Sequence, residues 1–440
     1  MVNAKFGTDG IRGKAGEGAL TPDVLTAIAA SAGRYIRQNA GGKHCVIGRD
    51  TRESGLMIQD ALTAGFIKAG LSVTHVGVLP TPALAAGVDD LGADLGVMIT
   101  ASHNPWHDNG IKFFQAGGTK LSKSAETAIE DGIGGVDGDV VPGAIFANDG
   151  AAKAYVEALT RGFKSADLSS LKIVLDCANG AAFKTAPAAL QALGAQHLAV
   201  IGDDPDGRNI NKACGSTHTQ LLSDWVISSG ADVGVALDGD ADRLIMVDEK
   251  GRVIDGDQLL GFMARAGKAA GTLKGGGIVA TVMSNLGLER FLTARGMTLV
   301  RTPVGDKHVA ARMRDDGFNI GGEQSGHLLL TDYGPTGDGT LAAIAILAAL
   351  AGMDVPASEA LSVFTPVAQK LVNVRYSGES PLARKDFVAA IAAADEKMGE
   401  AGRILVRASG TEPLIRIMAE SDDRDLVDTL TAGLAAIIKP

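Results

Sequence analysis

A unit of strand, polar turn, helix, glycine and strand occurs three times in the 440 residues, and it constrains the fold more than any other feature. The first copy is His44-Cys-Val-Ile-Gly48, the turn Arg49-Asp-Thr-Arg52, a helix through Asp60–Ala69 stopped by Gly70, and the strand Leu71–Val76. The second runs from Lys172–Asp176 through Asn179-Gly180, a helix to Leu193 and Gly194, to a strand ending at Val200. The third runs from Gly277–Ala280 through Ser284-Asn285, a helix to Arg295 and Gly296, to Met297–Val300. Apolar strands joined by a crossover helix make βαβ units with parallel pairing. Copies this far apart are not a solenoid. They predict homologous α/β domains of about 100–150 residues each.

Each copy continues with a helix, a second apolar strand and a polar loop. In the first, Leu95–Ile99 leads to Thr100-Ala-Ser-His-Asn-Pro105. In the second, Asp232–Leu237 leads to Asp238-Gly-Asp-Ala-Asp-Arg243. In the third, Phe318-Asn-Ile320 leads to Gly321-Gly-Glu-Gln-Ser-Gly-His327. Equivalent loops in homologous domains are expected to converge on one cleft. The Gly- and Asp-rich stretch 132–139, ending near 148–150, reads as linker. Beyond the break at Phe364-Thr-Pro366 the pattern changes to that of a small α+β domain.

Ser102 is expected on an exposed turn at the carboxyl end of a strand, because Pro105 cannot extend that strand. Ligands of open α/β sheets bind there, and a hydroxyl so placed can act as a nucleophile or carry a phosphoryl group. His103 lies beside it. Asp238, Asp240 and Asp242 alternate, so an extended loop puts three carboxylates on one side. Crowded carboxylates repel, and a hard cation such as magnesium relieves them. An EF-hand also begins D-x-D-x-D and would end at Glu249. Here Arg243 replaces the required glycine and Leu244–Val247 reads as a strand. Arg407-Ala-Ser-Gly-Thr-Glu-Pro-Leu-Ile-Arg416 offers hydroxyls and backbone N–H groups at Ser409, Gly410 and Thr411 between two arginines, a phosphate-binding arrangement. Glu323, Ser325 and His327 suit sugar hydroxyls or an amine. Lys112 and Arg12 suit phosphate oxygens, Lys112 also a proton-carrying role. Asp306, Lys307 and His308 are further acid/base candidates.

The net charge of −10 argues against nucleic acid as a partner. Only 4% of residues are aromatic, while glycine alone supplies 58 residues, a composition suited to close helix-on-sheet packing. Three widely spaced cysteines suggest neither a disulfide framework nor a zinc site. No apolar stretch is long enough to span a bilayer, the longest being Leu341–Ala351. A cytoplasmic protein is expected, with no membrane or nucleic-acid partner, as a monomer or homodimer.

Taken together, Thr100–Pro105, Asp238–Arg243, Gly322–His327 and Arg407–Arg416 resemble, in order and spacing, the four signature loops of the α-D-phosphohexomutases. The resemblance covers the whole chain. It implies an α/β fold class: three homologous α/β/α domains with mixed sheets plus a C-terminal α+β domain, around a central cleft. The expected divisions are 1–150 for the phosphoserine loop, 151–254 for the metal loop, 255–367 for the sugar loop and 368–440 for the phosphate loop. It implies phosphoserine at Ser102, with His103, Lys112 and Arg12 assisting. Mg2+ is implied on Asp238, Asp240, Asp242 and the Ser102 phosphate. Glu323 and Ser325 select the sugar, with Arg243, Arg407, Ser409, Gly410, Thr411 and Arg416 as further substrate contacts. The implied substrate is a small phosphosugar, with glucosamine 6-phosphate and glucosamine 1-phosphate interconverted. The activator is glucosamine 1,6-bisphosphate or glucose 1,6-bisphosphate. Alternatives are glucose or mannose phosphate as substrate, a phosphatase, and a non-catalytic phosphosugar-binding protein.

Overall fold

The structure, a computed structural model, describes residues 4–7, 9–135, 140–409 and 413–438. The chain forms two compact units, 1–282 with 300–363, and 283–299 with 364–440.

The larger unit contains three mixed sheets. In the six-stranded sheet, Leu95–Ile99, His44–Arg49, Ser72–Val78 and Ile145–Ala147 are parallel. Asp108–Gln115 then pairs antiparallel with Leu95–Ile99 and with Ile11–Lys14. The last parallel strand, Ile145–Ala147, falls within the stretch expected to be linker; residues 136–139 of that stretch lie outside the described residues. In the five-stranded sheet, Lys172–Asp176 is parallel to His197–Ile201 and Val233–Leu237, and Leu244–Asp248 returns antiparallel. In the third sheet, Gly277–Thr281 is parallel to Ile320–Gly322, which pairs antiparallel with Leu328–Leu330.

The first two expected βαβ units are present with parallel pairing; in the third, Gly277–Thr281 and Thr298–Thr302 are neighbours in the sheet, and the helix between them, Leu286–Thr293, belongs to the smaller unit. In each of the three sheets an antiparallel return follows. The three polar loops are therefore topologically equivalent, each joining a parallel strand to its antiparallel neighbour. These strands are buried along their length, as runs flanked by helices on both faces should be. Small residues let the layers close up: a side chain on Gly65 of helix Gly55–Lys68 would come within 2.7 Å of Ala29 Cβ on helix Pro22–Ala40.

The nearly all-apolar helix Gly339–Ala351 is buried as the sequence indicates. Its cap, Asp338, accepts from Leu341 N at 2.9 Å and from Tyr155 Oη at 2.9 Å. Among the described residues no helix is long and apolar enough to cross a membrane. Burial pushes the Asp338 carboxyl up to about 6 against the pull of those hydrogen bonds. The native state thus holds a proton that the unfolded chain, with an aspartate value of about 3.9, releases earlier. The stabilisation is complete below about pH 4, is lost as pH rises through about 6, and amounts to roughly 3 kcal/mol. Asp338→Asn keeps the acceptor for Leu341 and cannot ionise. Its melting temperature is expected to exceed that of the parent at pH 7.5, with the gap narrowing at pH 5; an equal gap at both pH values contradicts this linkage.

In the smaller unit, Leu414–Ser421 lies between Ala368–Arg375 and Gly402–Ala408, antiparallel to both. Helices Lys385–Met398 and Arg424–Ile438 cover the sheet through Phe387, Met398, Val427 and Leu434. Segment 283–299 joins this unit for a polar reason. Glu420, fully buried, accepts from Leu286 N at 3.1 Å and from Gln369 Nε2 at 3.0 Å, and is paired with Arg403.

Candidate active site

Ser102 corrects the sequence reading: it is not exposed but 1% accessible. Its backbone is left-handed, with φ at 53°. Ser102 N donates to Thr100 Oγ1 at 2.9 Å, and Thr100 Oγ1 donates to Asp50 Oδ2 at 2.7 Å. Beneath the loop lies Arg52, 1% exposed, whose Nε donates to Asp50 Oδ2 at 2.9 Å. Its other nitrogens donate to the carbonyls of Ser102 (3.0 Å), Asn104 (2.8 Å), Asp108 (2.9 Å) and Pro105. The sequence reading passed over Arg52 as part of a polar turn.

The second loop covers Ser102. Ser102 Oγ donates to Asp238 Oδ2 at 2.6 Å. Carboxylate oxygens of Asp238, Asp240 and Asp242 lie within 4.8 Å of one another, all buried. Lys112 is 2% exposed and donates to Asp240 at 2.8 Å and to Asp242 at 3.1 Å, with Asp9 also 3.1 Å away. Burial and the neighbouring Asp242 and Asp240 hold the Asp238 carboxyl well above the usual carboxylate range. Burial acts the same way on Asp242, but Lys112 and His327 outweigh it and hold Asp242 well below. Burial opposes the Lys112 ammonium, yet Asp240, Asp242 and Asp9 keep it charged, which suits a clamp on anionic oxygen. Burial, then Arg243 and Arg12, lower the His103 imidazole to about 4, so it is neutral at pH 7. Its Nδ1 lies 3.4 Å from Ser102 Oγ. Arg12 reaches Asp9 at 2.5 Å and Ala101 O at 3.4 Å. Oδ1 of Asp240 and of Asp242 is buried without a hydrogen bond among the described residues. Orphaned carboxylate oxygens in an all-oxygen cluster fit a hard divalent cation.

The third loop docks on the second. Leu244 N donates to Gly326 O at 2.9 Å, and Arg243 and His327 form a backbone bridge. Buried His327 stands 3.7 Å from Asp242 and 3.6 Å from Asp306. Burial lowers its imidazole, but Asp242 and Asp306 raise it to about 9. Lys120, absent from the sequence reading, joins Asp306 to Asp9 at 2.5 Å on each side. The result is a closed ring of alternating charge through Asp9, Lys120, Asp306, His327, Asp242 and Lys112. Glu323 Oε1 accepts from Gly305 N at 3.0 Å, and Ser325 Oγ donates to Glu323 Oε2 at 3.2 Å. Lys307 and His308 are exposed. The first three loops thus share one site in the larger unit.

In the smaller unit, Arg407 and Arg416 are direct cross-strand neighbours. Like charges placed so are destabilising without an anion. Burial, then Arg416, lowers the Arg407 guanidinium from its ordinary value. Nε of each is buried without a hydrogen bond among the described residues. Ser409 N donates to Leu414 O at 2.9 Å. Gly410 and Thr411 lie outside the described residues.

Four family models match in sequence order. They are phosphoglucomutase/phosphomannomutase alpha/beta/alpha domain I over residues 3–137, domain II over 153–251, domain III over 255–367, and the C-terminal domain over 371–437. The chain is 50% identical to a phosphoglucosamine mutase of Rhodospirillum rubrum, across 99% of this chain and 98% of that one. It is 51% identical to one of Caulobacter vibrioides, across 99% of each. A solved phosphoglucomutase/phosphomannomutase family protein from Burkholderia thailandensis superposes with a TM-score of 0.84 at 25% identity, covering 100% of this chain and 98% of that one. The N-acetylphosphoglucosamine mutase of Aspergillus fumigatus, solved with GlcNAc-6P and magnesium, shares the fold at a TM-score of 0.72 and 20% identity, over 99% and 95% of the two chains. With matches of this extent behind a site of this composition, the chain belongs to the phosphoglucomutase/phosphomannomutase family, among its bacterial phosphoglucosamine mutases.

Proposed function

We propose that this chain interconverts glucosamine 6-phosphate and glucosamine 1-phosphate, with Ser102 as phosphoryl carrier. The observation that carries the reading is Ser102 Oγ, 2.6 Å from Asp238 inside a buried cluster of three carboxylates. In the forward direction the P–Oγ bond of phosphorylated Ser102 breaks as a P–O1 bond forms to glucosamine 6-phosphate, and the O1 proton ends on Ser102 Oγ. The bisphosphate then turns over. Its 6-phosphoryl group moves to Ser102, the proton returns to O6, and glucosamine 1-phosphate leaves.

Asp238, Asp240, Asp242 and the Ser102 phosphate would hold Mg2+, which when bound supplies charge neutralisation to the phosphoryl oxygens. Lys112 and Arg12 neutralise the remaining oxygens, and neutral His103 accepts or donates one hydrogen bond beside Oγ. Arg243 contacts the substrate, while Glu323 and Ser325 take the amine and neighbouring hydroxyl. Arg407, Ser409, Gly410, Thr411 and Arg416 grip the phosphate distant from Ser102. The division of labour follows the segments 1–150, 151–254, 255–367 and 368–440. A trace of glucosamine 1,6-bisphosphate or glucose 1,6-bisphosphate would keep Ser102 loaded. The enzyme would work in the cytoplasm, supplying UDP-N-acetylglucosamine and cell-wall precursor synthesis.

The test is turnover of glucosamine, glucose and mannose phosphates by the purified protein, with intact mass to locate one phosphate on Ser102. Chelating divalent metal is expected to lower turnover at least about 10^3-fold, the equivalent of several kcal/mol, with recovery on adding Mg2+. Undiminished turnover in chelator contradicts the metal assignment. Preference for glucose or mannose phosphate contradicts the substrate, and release of inorganic phosphate in step with substrate loss would make the protein a phosphatase.

A further inference from the structure

Ser102, Ala178, Asn179, Asn211, Ala213 and Ala241 have left-handed backbones, and no other non-glycine residue among the described residues does. The conformation is unfavourable for L residues and persists only where surroundings impose it. All six stand in four loops that touch one another. Asn211 N donates to Ala178 O at 2.9 Å, Ala181 N donates to Gly239 O at 2.8 Å, and Gly239 packs on Ser102. A side chain at Gly239 would come within 2.6 Å of Ser102 O and 2.8 Å of Asn211 Nδ2.

We infer that Asn211 is a positioning residue for phosphoryl transfer: its carboxamide, with the Arg52 guanidinium, clamps the carbonyls on either side of His103 and so fixes the direction of the Ser102 side chain. The inference rests on reading Ser102 as the phosphoryl carrier. Ser102 O accepts from Arg52 Nη2 at 3.0 Å and from Asn211 Nδ2 at 2.9 Å. Asn104 O accepts from the same two nitrogens at 2.8 and 3.1 Å. Two donors fill both lone pairs of each carbonyl, so neither peptide can rotate without breaking two bonds. Arg52 approaches from the six-stranded sheet that carries Ser102. Asn211 approaches from the second sheet's loops, beside the strand that delivers Asp238, and so ties nucleophile to carboxylates. Asn211 is buried, and its Oδ1 has no hydrogen bond among the described residues. An amide that leaves its acceptor unpaired inside the protein is oriented by what its donor end does. The flipped amide would set oxygen against two carbonyl oxygens.

Asn211→Gly tests this, since glycine accepts the left-handed backbone without strain and only the carboxamide is lost. A displacement of about 1 Å at a reacting centre costs about 10^2 in rate. The expected result is kcat lower by about 30- to 100-fold, KM for glucosamine 6-phosphate within about threefold, and a melting temperature within about 3 °C of the parent. Asn211→Asp keeps the shape but faces both carbonyls with a carboxylate, and is expected to be at least as slow. A glycine variant with kcat within twofold overturns the role. So does one in which kcat, KM and melting temperature all deteriorate together, because Asn211 would then merely hold the fold. If the unaltered protein neither turns over the phosphosugar nor carries phosphate on Ser102, the carrier reading fails first and this role falls with it.

Discussion

Ser102→Ala is expected to lose mutase turnover by at least about 10^4-fold while remaining folded. Two nearby hydroxyls are already engaged: Thr100 Oγ1 donates to Asp50 at 2.7 Å, and Thr81 Oγ1 donates to Asp240 at 2.5 Å. Losing a covalent carrier removes the low-barrier route altogether, and about 5–6 kcal/mol of barrier corresponds to such a factor. The structural cost is small by comparison. Asp238 keeps the hydrogen bond from Arg243 N at 3.1 Å. Alanine already occupies left-handed backbone at 178, 213 and 241 in the surrounding loops. A loss of about 1–2 kcal/mol in stability is expected. If Glu323 and Ser325 take the sugar as proposed, the variant should still bind the phosphosugar, because neither residue is touched by the substitution. Retention of more than about 1% of parental turnover, or phosphate mapped to another residue, refutes the assignment.

Much of this site was legible in the sequence because its chemistry is local. Three aspartates at alternate positions between apolar runs can only be crowded. A proline after a buried strand forces a turn, and two arginines flanking Ser-Gly-Thr advertise an anion. The three βαβ units were legible for the same reason: strand, helix and stopping glycine are near-neighbour patterns. What escaped depends on contacts between distant residues. Ser102 looked exposed because a turn is usually exposed; its burial comes from a partner 136 residues along the chain. Lys120 sits in no motif, and its link between Asp9 and Asp306 is visible only in the folded chain. The third sheet's strand was expected over Phe318–Ile320, yet it forms over Ile320–Gly322. Its two glycines admit Met313 Sδ and His327 O, a packing demand invisible to propensity. Arg52 and Asn211 were missed because side chains that cap backbone carbonyls elsewhere leave no periodic or compositional trace.

Arg52→Met should therefore be the most destabilising single change in the six-stranded sheet's loops. The substitution keeps most of the side-chain length but removes the cation ion-paired with buried Asp50, both groups having fully buried side chains. Burial already raises the Asp50 carboxyl, and Arg52 is the strongest influence opposing that rise, so without it Asp50 must take up a proton or remain an uncompensated buried charge. The carbonyls of Pro105 and Asp108 lose donors at the same time, whereas Ser102 and Asn104 keep Asn211. Removing one partner of a buried pair costs about 3–5 kcal/mol, so the melting temperature is expected to fall by roughly 5 °C for a unit of this size. Arg52→Lys should be intermediate: it restores charge to Asp50, but three donors on one nitrogen cannot span four carbonyls as a guanidinium does. Asp50→Asn combined with Arg52→Met should recover part of the loss, since no unpaired charge then remains. A melting temperature for Arg52→Met within about 2 °C of the parent means the loop is held by its own turn, and the guanidinium beneath it is incidental.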